Sequence, residues 1–319
     1  MNNPIRNGIL FFLIVVAIMT TGCSQAEATP ENLIILDRHL KIPADAVKIL
    51  PETDLNPPIT HSDEYMQPVP VPGLVNTTGG EDSPFILPDG NTLYLFFTPD
   101  VSVPAQTQVM DGVTGIYKSQ MMNGAWTEAE RVILQDPGKL AGDGCEFILG
   151  DTIWFCSARE GFTGMNWFKA ESNNGIWQNW QLVEFDPTYQ VGEFHISSDG
   201  KDLYFGSDRP GGAGNLDIWM THLVDEGWSE PENILAINTQ DNEGWPALNP
   251  AGDELWFSRN FGLWRSKLIN GEWSSPELMI SPLAGEPSID SFGNVYFTHH
   301  FFDEGVMLEA DIYVAYKKR

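Results

Sequence analysis

Ser198-Asp-Gly-Lys-Asp-Leu-Tyr-Phe-Gly-Ser-Asp-Arg-Pro-Gly-Gly212, followed by Asp217-Ile-Trp219, decides the fold of this chain. A Ser-Asp-Gly turn opens a short aromatic strand, a Pro/Gly-rich turn closes it, and a second aromatic strand follows. That alternation is the signature of a tight antiparallel meander. Working outward, the same phrase returns. The second strands read Leu93-Tyr-Leu-Phe-Phe97, Ile153-Trp-Phe155, Leu203-Tyr-Phe205, Leu255-Trp-Phe257 and Val295-Tyr-Phe297. The third strands carry Tyr117, Trp167, Trp219, Trp264 and Tyr313, one central aromatic every 45–52 residues. Asn123-Gly124, Asn174-Gly175, Glu226-Gly227 and Asn270-Gly271 each lead into a fourth strand with Trp126, Trp177, Trp228 or Trp273.

Four short strands per repeat, with one turn signal per hairpin, predict an all-β, five-bladed β-propeller with four antiparallel strands per blade. Large aromatics suit the wedge between neighbouring blades. The fifth repeat reaches Arg319 without a fourth strand. The segment Tyr65–Pro84 parallels Trp228–Pro246, so an N-terminal strand is expected to complete the last blade and remove an open edge. Pro68, Pro70 and Pro72 fit an outermost strand, which needs no partner on its far side.

Composition agrees. In 319 residues there are 30 Gly and 22 Pro with 11 Trp, 18 Phe and 8 Tyr, which suits many short strands and excludes a helical bundle or a disordered chain. Seventeen Lys and Arg against 44 Asp and Glu give a net charge of −27, which excludes nucleic acid as a partner.

The chain opens with Arg6 and an uninterrupted apolar run, Ile9–Ile18, followed by Thr20, Thr21 and Gly22. Ten residues are too few to span a bilayer, so residues 1–22 read as a signal peptide. Cys23 directly after Gly22 resembles the lipobox of bacterial lipoproteins, and the resemblance implies a lipidated, membrane-anchored N-terminus. Residues 23–60 are then a polar tether and 61–319 the propeller. Ser24, not Asp, follows the cysteine, which leans toward an outward-facing location, periplasmic or at the cell surface. Cys145 and Cys156 flank a Gly150-Asp151 turn; with those two residues at its centre the cysteines stand opposite each other. A disulfide is predicted, and two buried thiols are the alternative, because this register makes them a hydrogen-bonded pair.

Ser207-Asp-Arg-Pro-Gly-Gly212 with Asp217-Ile-Trp219 and Ser198-Asp-Gly200 resembles the repeat of the TolB-like (WD-like) β-propeller family of bacterial periplasmic and surface proteins. The resemblance covers about residues 65–319, is best in the third and fourth repeats, and implies the fold more than an activity, since such propellers serve as scaffolds, binders and occasionally enzymes.

The antiparallel hairpins bring the start of each first strand and the end of each second strand to one mouth of the channel. That mouth should carry Glu81, Asp82, Glu146, Glu193, Glu243 and Glu286, interleaved with Arg159, Arg209, Arg259, His299 and His300, with His195 and Trp245 beside them. Repetition in every blade favours plain Glu–Arg pairing that secures the hairpins. The residues that break the repeat, Asp82, His195, Trp245, His299 and His300, are the better candidates for a unique site. Two functions follow. The first is a monomeric binding module for a glycan, peptide, small polar metabolite or protein partner, with Glu193, His195, Glu243, Trp245, Glu286, Arg159, Arg209, Arg259 and His299 as contacts. The second is a glycoside-hydrolase-like enzyme with Asp82, Glu146 and Glu193 as catalytic carboxylates. No cofactor is expected. A metal held by His195, His299 or His300 with Glu193 or Glu286 is disfavoured, because adjacent histidines on a strand face opposite ways and at most one of His299 and His300 faces the mouth. Gly211–Gly214 lies within a hairpin turn and lacks the strand-to-helix setting of a phosphate loop.

Overall fold

The computed structural model describes residues 36–319 except 187, 190 and 226; the leader, Cys23 and the Glu226 turn position lie outside them. Among the described residues the chain is all-β, with helix confined to single turns at Arg38–Leu40 and Ala105–Gln108. No helix there is long and apolar enough to cross a membrane.

The strands form four sheets of antiparallel meanders. One meander runs Ala141–Leu149, Thr152–Arg159, Asn166–Asn173 and Ile176–Val183. The next runs Phe194–Ile196, Asp202–Ser207, Asp217–Val224 and Glu232–Asn233. A third comprises Glu243–Leu248, Glu254–Arg259, Gly262–Ile269 and Glu277–Ser281. The remaining nine-stranded sheet holds the first meander of the chain (Gly80–Ile86, Thr92–Thr98, Gly115–Met122, Glu130–Arg131) and the last (Ala284–Ile289, Val295–Asp303, Val306–Ala315). A single parallel pairing, Ala310 with Gly80, links them.

The N-terminal segment pairs with the C-terminal strand as expected: Val69 lies opposite Val314 and Pro70 opposite Tyr313. Two residues upstream of that register do more. Ile59 and Thr60 pair with Ser281 and Ile280, adding an outer strand to the neighbouring sheet. The outermost strand is interrupted in three meanders, for example at Ala125–Trp126 and Glu130–Arg131. One hydroxyl stitches each break: Ser119 donates to the Thr127 carbonyl at 2.7 Å, Thr221 to that of Ser229 at 2.6 Å, and Ser266 to that of Ser274 at 2.6 Å. The Asn-Gly turns adopt left-handed φ at both positions, as two-residue hairpins require (Asn123 54°, Gly124 84°).

The apolar cores lie between meanders, because each sheet has two faces and both are aromatic. Phe147, Phe194, Leu203 and Trp219 form one such cluster, and Tyr204, Ile218, Leu248 and Phe257 the next. Another joins the chain's beginning to its end through Val75, Leu95, Trp126, Tyr296 and Val314. Each first strand packs against the first strand of the following meander, and Ala284–Ile289 packs against Gly80–Ile86.

Four of these first strands share a bulge. Ser83, Cys145, Trp245 and Glu286 all have φ between 48° and 56°, each inside a register shift against the second strand. The bulge changes the geometry expected around the cysteines. Cys156 pairs with Gly144, and Cys145 occupies the extra position, yet the two are disulfide-bonded with their Cα atoms 5.4 Å apart. The hydrogen-bonded pairing that favoured free thiols is therefore absent.

Arg265 shows how the N-terminal segment is tied down. It is 1% exposed, donates to Glu64 at 3.0 and 2.5 Å and to Glu254 at 3.2 Å, and also pairs with Glu277. Hydrogen bonding from Arg265 holds the Glu64 carboxyl at about 2 despite partial burial. Replacing Arg265 by Met leaves these acids uncompensated. The variant is expected to lose about 2–4 kcal/mol in urea unfolding, and Glu64 should titrate by NMR near the ordinary ~4.3.

Candidate functional site

The mouth residues separate into two sets once their register positions are compared. Glu81, Asp143 and Glu243 stand opposite Phe97, Ser157 and Arg259, the same place in three meanders. All three are buried and paired. Glu81 accepts from the Thr77 amide at 2.9 Å, the Thr77 hydroxyl at 2.7 Å and Arg38 Nη1 at 3.1 Å. Glu243 repeats that arrangement with the Thr239 amide at 3.1 Å, its hydroxyl at 2.5 Å and Arg259 Nε at 2.6 Å. Arg159 pairs with Asp143 at 2.7 Å rather than with Glu146, and Arg209 with Asp186 at 3.0 Å rather than with Glu193. Arg159, Arg209 and Arg259 each also stack on rings of their own meander; the Arg159 Cζ sits 4.4 Å from the Phe168 centroid. His299 is fully buried, with Nε2 2.9 Å from Asp54 and Nδ1 3.2 Å from the Leu283 carbonyl. These groups hold the hairpins.

Asp82, Glu146, Glu193 and Glu286 form the second set, and they occupy positions the repeat gives to other residues. Asp82 stands where the other bulged strands have Gly144, Gly244 and Gly285. Glu146 takes the place of Pro84, Pro246 and Pro287, and Glu286 takes the left-handed bulge position of Ser83, Cys145 and Trp245. Glu146, Glu193 and Glu286 line one small cavity of about 60 Å³ together with His195 and Trp245, and Asp82 lies beside it, next to Glu286.

Electrostatics at this cavity follow from burial without countercharge. Glu146 is 6% exposed and neither of its carboxyl oxygens has a hydrogen-bond partner. Burial, then the nearby charges of Asp82 and Glu193, push it well above the carboxylate range. Burial and the Asp82 charge raise Glu193 to about 8. Glu286 is raised well above its ordinary value by burial and Asp82, although Ser83 donates to it through N at 2.8 Å and Oγ at 3.0 Å. Asp82 is the exception. Burial opposes its ionisation but is outweighed by the hydrogen bond to Glu286, the His300 charge and donation from Thr298 and Ser83, so its carboxyl lies below the usual range. His195, packed on the Phe147 ring with centroids 4.9 Å apart, is lowered by burial to about 3 and is neutral. His300 is likewise lowered by burial. At neutral pH Glu193 keeps its proton beside the neutral His195, so the cavity offers a donor as well as acceptors.

Of the three histidines considered from the sequence, His300 is the one grouped with two carboxylates: a ring nitrogen, Asp82 and Glu286 lie within 4.8 Å of one another, whereas His299 meets Asp54 alone. Asp143, Asp186, Asp54 and Arg38 escaped sequence reasoning. Asp143 was legible in principle, since it occupies the Glu243 position two residues before the bulge; the other three lie in segments with no repeat to compare.

No known-family profile matches the chain, and no curated protein matches it. Among solved structures, an endo-arabinase from Bacteroides thetaiotaomicron is similar at 12% identity, over 78% of this chain and 97% of that one, with a TM-score of 0.50. A gluconolactonase from Xanthomonas campestris (11% identity, 83% and 96% covered, TM-score 0.49) and a putative TolB from Agrobacterium tumefaciens (16%, 84% and 92%, TM-score 0.41) resemble it more loosely. At such identities the likeness concerns the fold alone, a propeller-like arrangement of antiparallel sheets.

Glu193 makes stability depend on pH with a definite sign. The folded chain keeps its proton up to about pH 8, whereas the unfolded chain releases it near ~4.3. The unfolded state therefore binds fewer protons across that window, and stability falls as pH rises through it. Glu193→Gln is expected to flatten the decline between pH 5 and 8 and to be more stable at pH 8 by about 1–3 kcal/mol. Urea midpoints at both pH values check this; an unchanged slope contradicts the assignment.

Proposed function

We propose that the chain is an exported, lipid-anchored, five-bladed β-propeller that binds a polar ligand at its central carboxyl cavity. The blade count is supported by the meanders, by the apolar clusters shared between successive meanders, and by the pairing of Val69 and Pro70 with the last strand. The anchor rests on the sequence around Cys23.

One observation carries the binding reading: both Glu146 oxygens are buried without a partner. An unsatisfied buried polar group costs about 1–3 kcal/mol, and a ligand donor reaching it removes that cost. A cavity of about 60 Å³ has room for water or for one functional group of a larger ligand. The ligand inserts a hydroxyl- or amine-bearing end while its body lies across the mouth beside Trp245 and Phe85. A net charge of −27 disfavours anionic ligands. Glycans, peptides and small neutral or cationic metabolites fit this description; a basic or hydroxyl-rich surface of a protein partner fits equally.

A second reading, a glycoside-hydrolase-like enzyme, is favoured by the split between Asp82, held below the usual range, and Glu193, raised to about 8, the division between a base and an acid. Asp82 and Glu286 are not that pair. Their oxygens lie within 4.8 Å and share a hydrogen bond, closer than the ~5–5.5 Å of carboxyls flanking a glycosidic bond.

Thermal-shift and calorimetric screening of the full chain against neutral sugars, amines and short peptides tests the proposal. A true ligand should lose affinity at least about tenfold on Glu146→Gln or Trp245→Ala. Release of reducing ends from a bound glycan, abolished by Glu193→Gln, supports the enzyme. Absence of any ligand-induced shift overturns both. Cys23→Ala should move the protein from the membrane to the soluble fraction.

A further inference from the structure

We infer that the centre of the molecule is a divalent-cation site, with Asp82, Glu286 and His300 as its protein ligands. The inference rests on the proposed function through Glu286, which lines that cavity and also belongs to this cluster beside it. Ligand atoms of the three residues lie within 4.8 Å of one another, the span across a cation whose bonds are ~2.1–2.4 Å long. They come from both edges of the nine-stranded sheet's junction: Asp82 from the first meander, Glu286 and His300 from the last.

Three features go beyond an accidental acidic cluster. The His300 Nδ1 is 3.4 Å from the Leu283 carbonyl, which can only accept, so Nδ1 carries the proton and Nε2 keeps its lone pair. Metal-binding imidazoles are oriented by this kind of backbone contact. The carboxylates are held in place as well: the Ser83 amide donates to Asp82 Oδ1 at 2.9 Å and to Glu286 Oε2 at 2.8 Å, and the Glu286 amide is fixed on Ser258 Oγ at 2.9 Å. Independently, Glu146, 94% buried, presents two unpartnered oxygens at the cavity that Glu286 also lines. Among the described residues no Lys or Arg makes an ion pair with Asp82, Glu146, Glu193 or Glu286.

Two carboxylates with one imidazole suit a first-row transition cation such as Zn2+ or Mn2+ better than Ca2+ or Mg2+, which favour oxygen alone. Three protein ligands leave coordination positions open, and Glu146 and Glu193 line the space that an outside ligand or water would enter. The cation thus becomes the element to which a hydroxyl of the polar ligand binds.

The test uses the untagged full chain, stripped with EDTA and titrated with Zn2+, Mn2+ and Ca2+ by calorimetry and thermal shift. One equivalent of Zn2+ or Mn2+ should bind and raise the melting temperature. His300→Ala and Asp82→Asn should each weaken binding at least about tenfold, while Glu160→Gln, an exposed acid elsewhere, leaves it unchanged. Circular dichroism and the intact disulfide report whether each variant is folded, and Glu286→Gln stands in if His300→Ala is not. Binding that persists undiminished in the folded variants, a preference for Ca2+, or no binding at 100-fold excess overturns the inference. Repeating the polar-ligand screen on the stripped chain separates the two claims. A ligand that binds the stripped chain as tightly, with no cation bound, leaves the cavity reading standing and sinks the cation. Loss of both sinks both.

Discussion

A left-handed residue in the middle of a crowded inner strand is the constraint on which the centre of this molecule depends. Ser83, Cys145, Trp245 and Glu286 each accept a backbone conformation that L-residues avoid, and each sits where the first strand slips by one residue against the second. The slip turns the residues around it out of the sheet's alternation. Glycine or proline beside the bulge keeps the inner strand narrow in most meanders. Where the chain instead places Asp82 and Glu146 at those neighbouring positions, carboxyl groups are carried inward and buried without a basic partner. Burial, with the charge of Asp82, then raises Glu146, Glu193 and Glu286, while burial alone lowers His195.

Scarcity of base sharpens the effect. With 17 basic residues against 44 acidic ones, most carboxylates must rely on solvent. The bases that are buried go to particular acids: Arg38 to Glu81, Arg159 to Asp143, Arg209 to Asp186, Arg259 to Glu243, Lys48 to Glu309 and Asp311, and Arg265 to Glu64, Glu254 and Glu277. Each such pair lies at a hairpin end or where the N-terminal segment crosses a sheet. The central acids receive none. The hairpin carboxylates and the central ones are thus told apart by whether a base lies beside them, and not by burial, which they share.

The sequence announced its strands because strand signals are local. Asn-Gly dipeptides, alternating aromatics and the 45–52-residue recurrence of Tyr117, Trp167, Trp219, Trp264 and Tyr313 need no knowledge of neighbours. The kinship of Tyr65–Pro84 with Trp228–Pro246 likewise led to the pairing of Val69 and Pro70 with the last strand. What it concealed was register. Glu81, Asp82, Glu146, Glu193, Glu243 and Glu286 look equivalent as acids near strand starts, yet a one-residue bulge separates arginine-bound Glu243 from Glu286 and Asp143 from Glu146. A bulge changes which face a side chain takes without leaving a mark in composition. The partners contributed by residues 36–60 were hidden for another reason: a single polar segment has no second copy against which to compare it.

That segment changes how the molecule bears load. From Arg38 on Glu81, through Lys48 on Glu309 and Asp311 and Asp54 on His299, to Ile59 and Thr60 on one sheet and Val69 and Pro70 on another, the chain is fastened at successive points before it enters its first inner strand. Tension applied at the N-terminal end meets these ion pairs and strand pairings in turn, from Arg38 onward, so each must yield before the next is loaded. Mechanical strain entering there is therefore spent on the outer attachments before it can reach the central cavity.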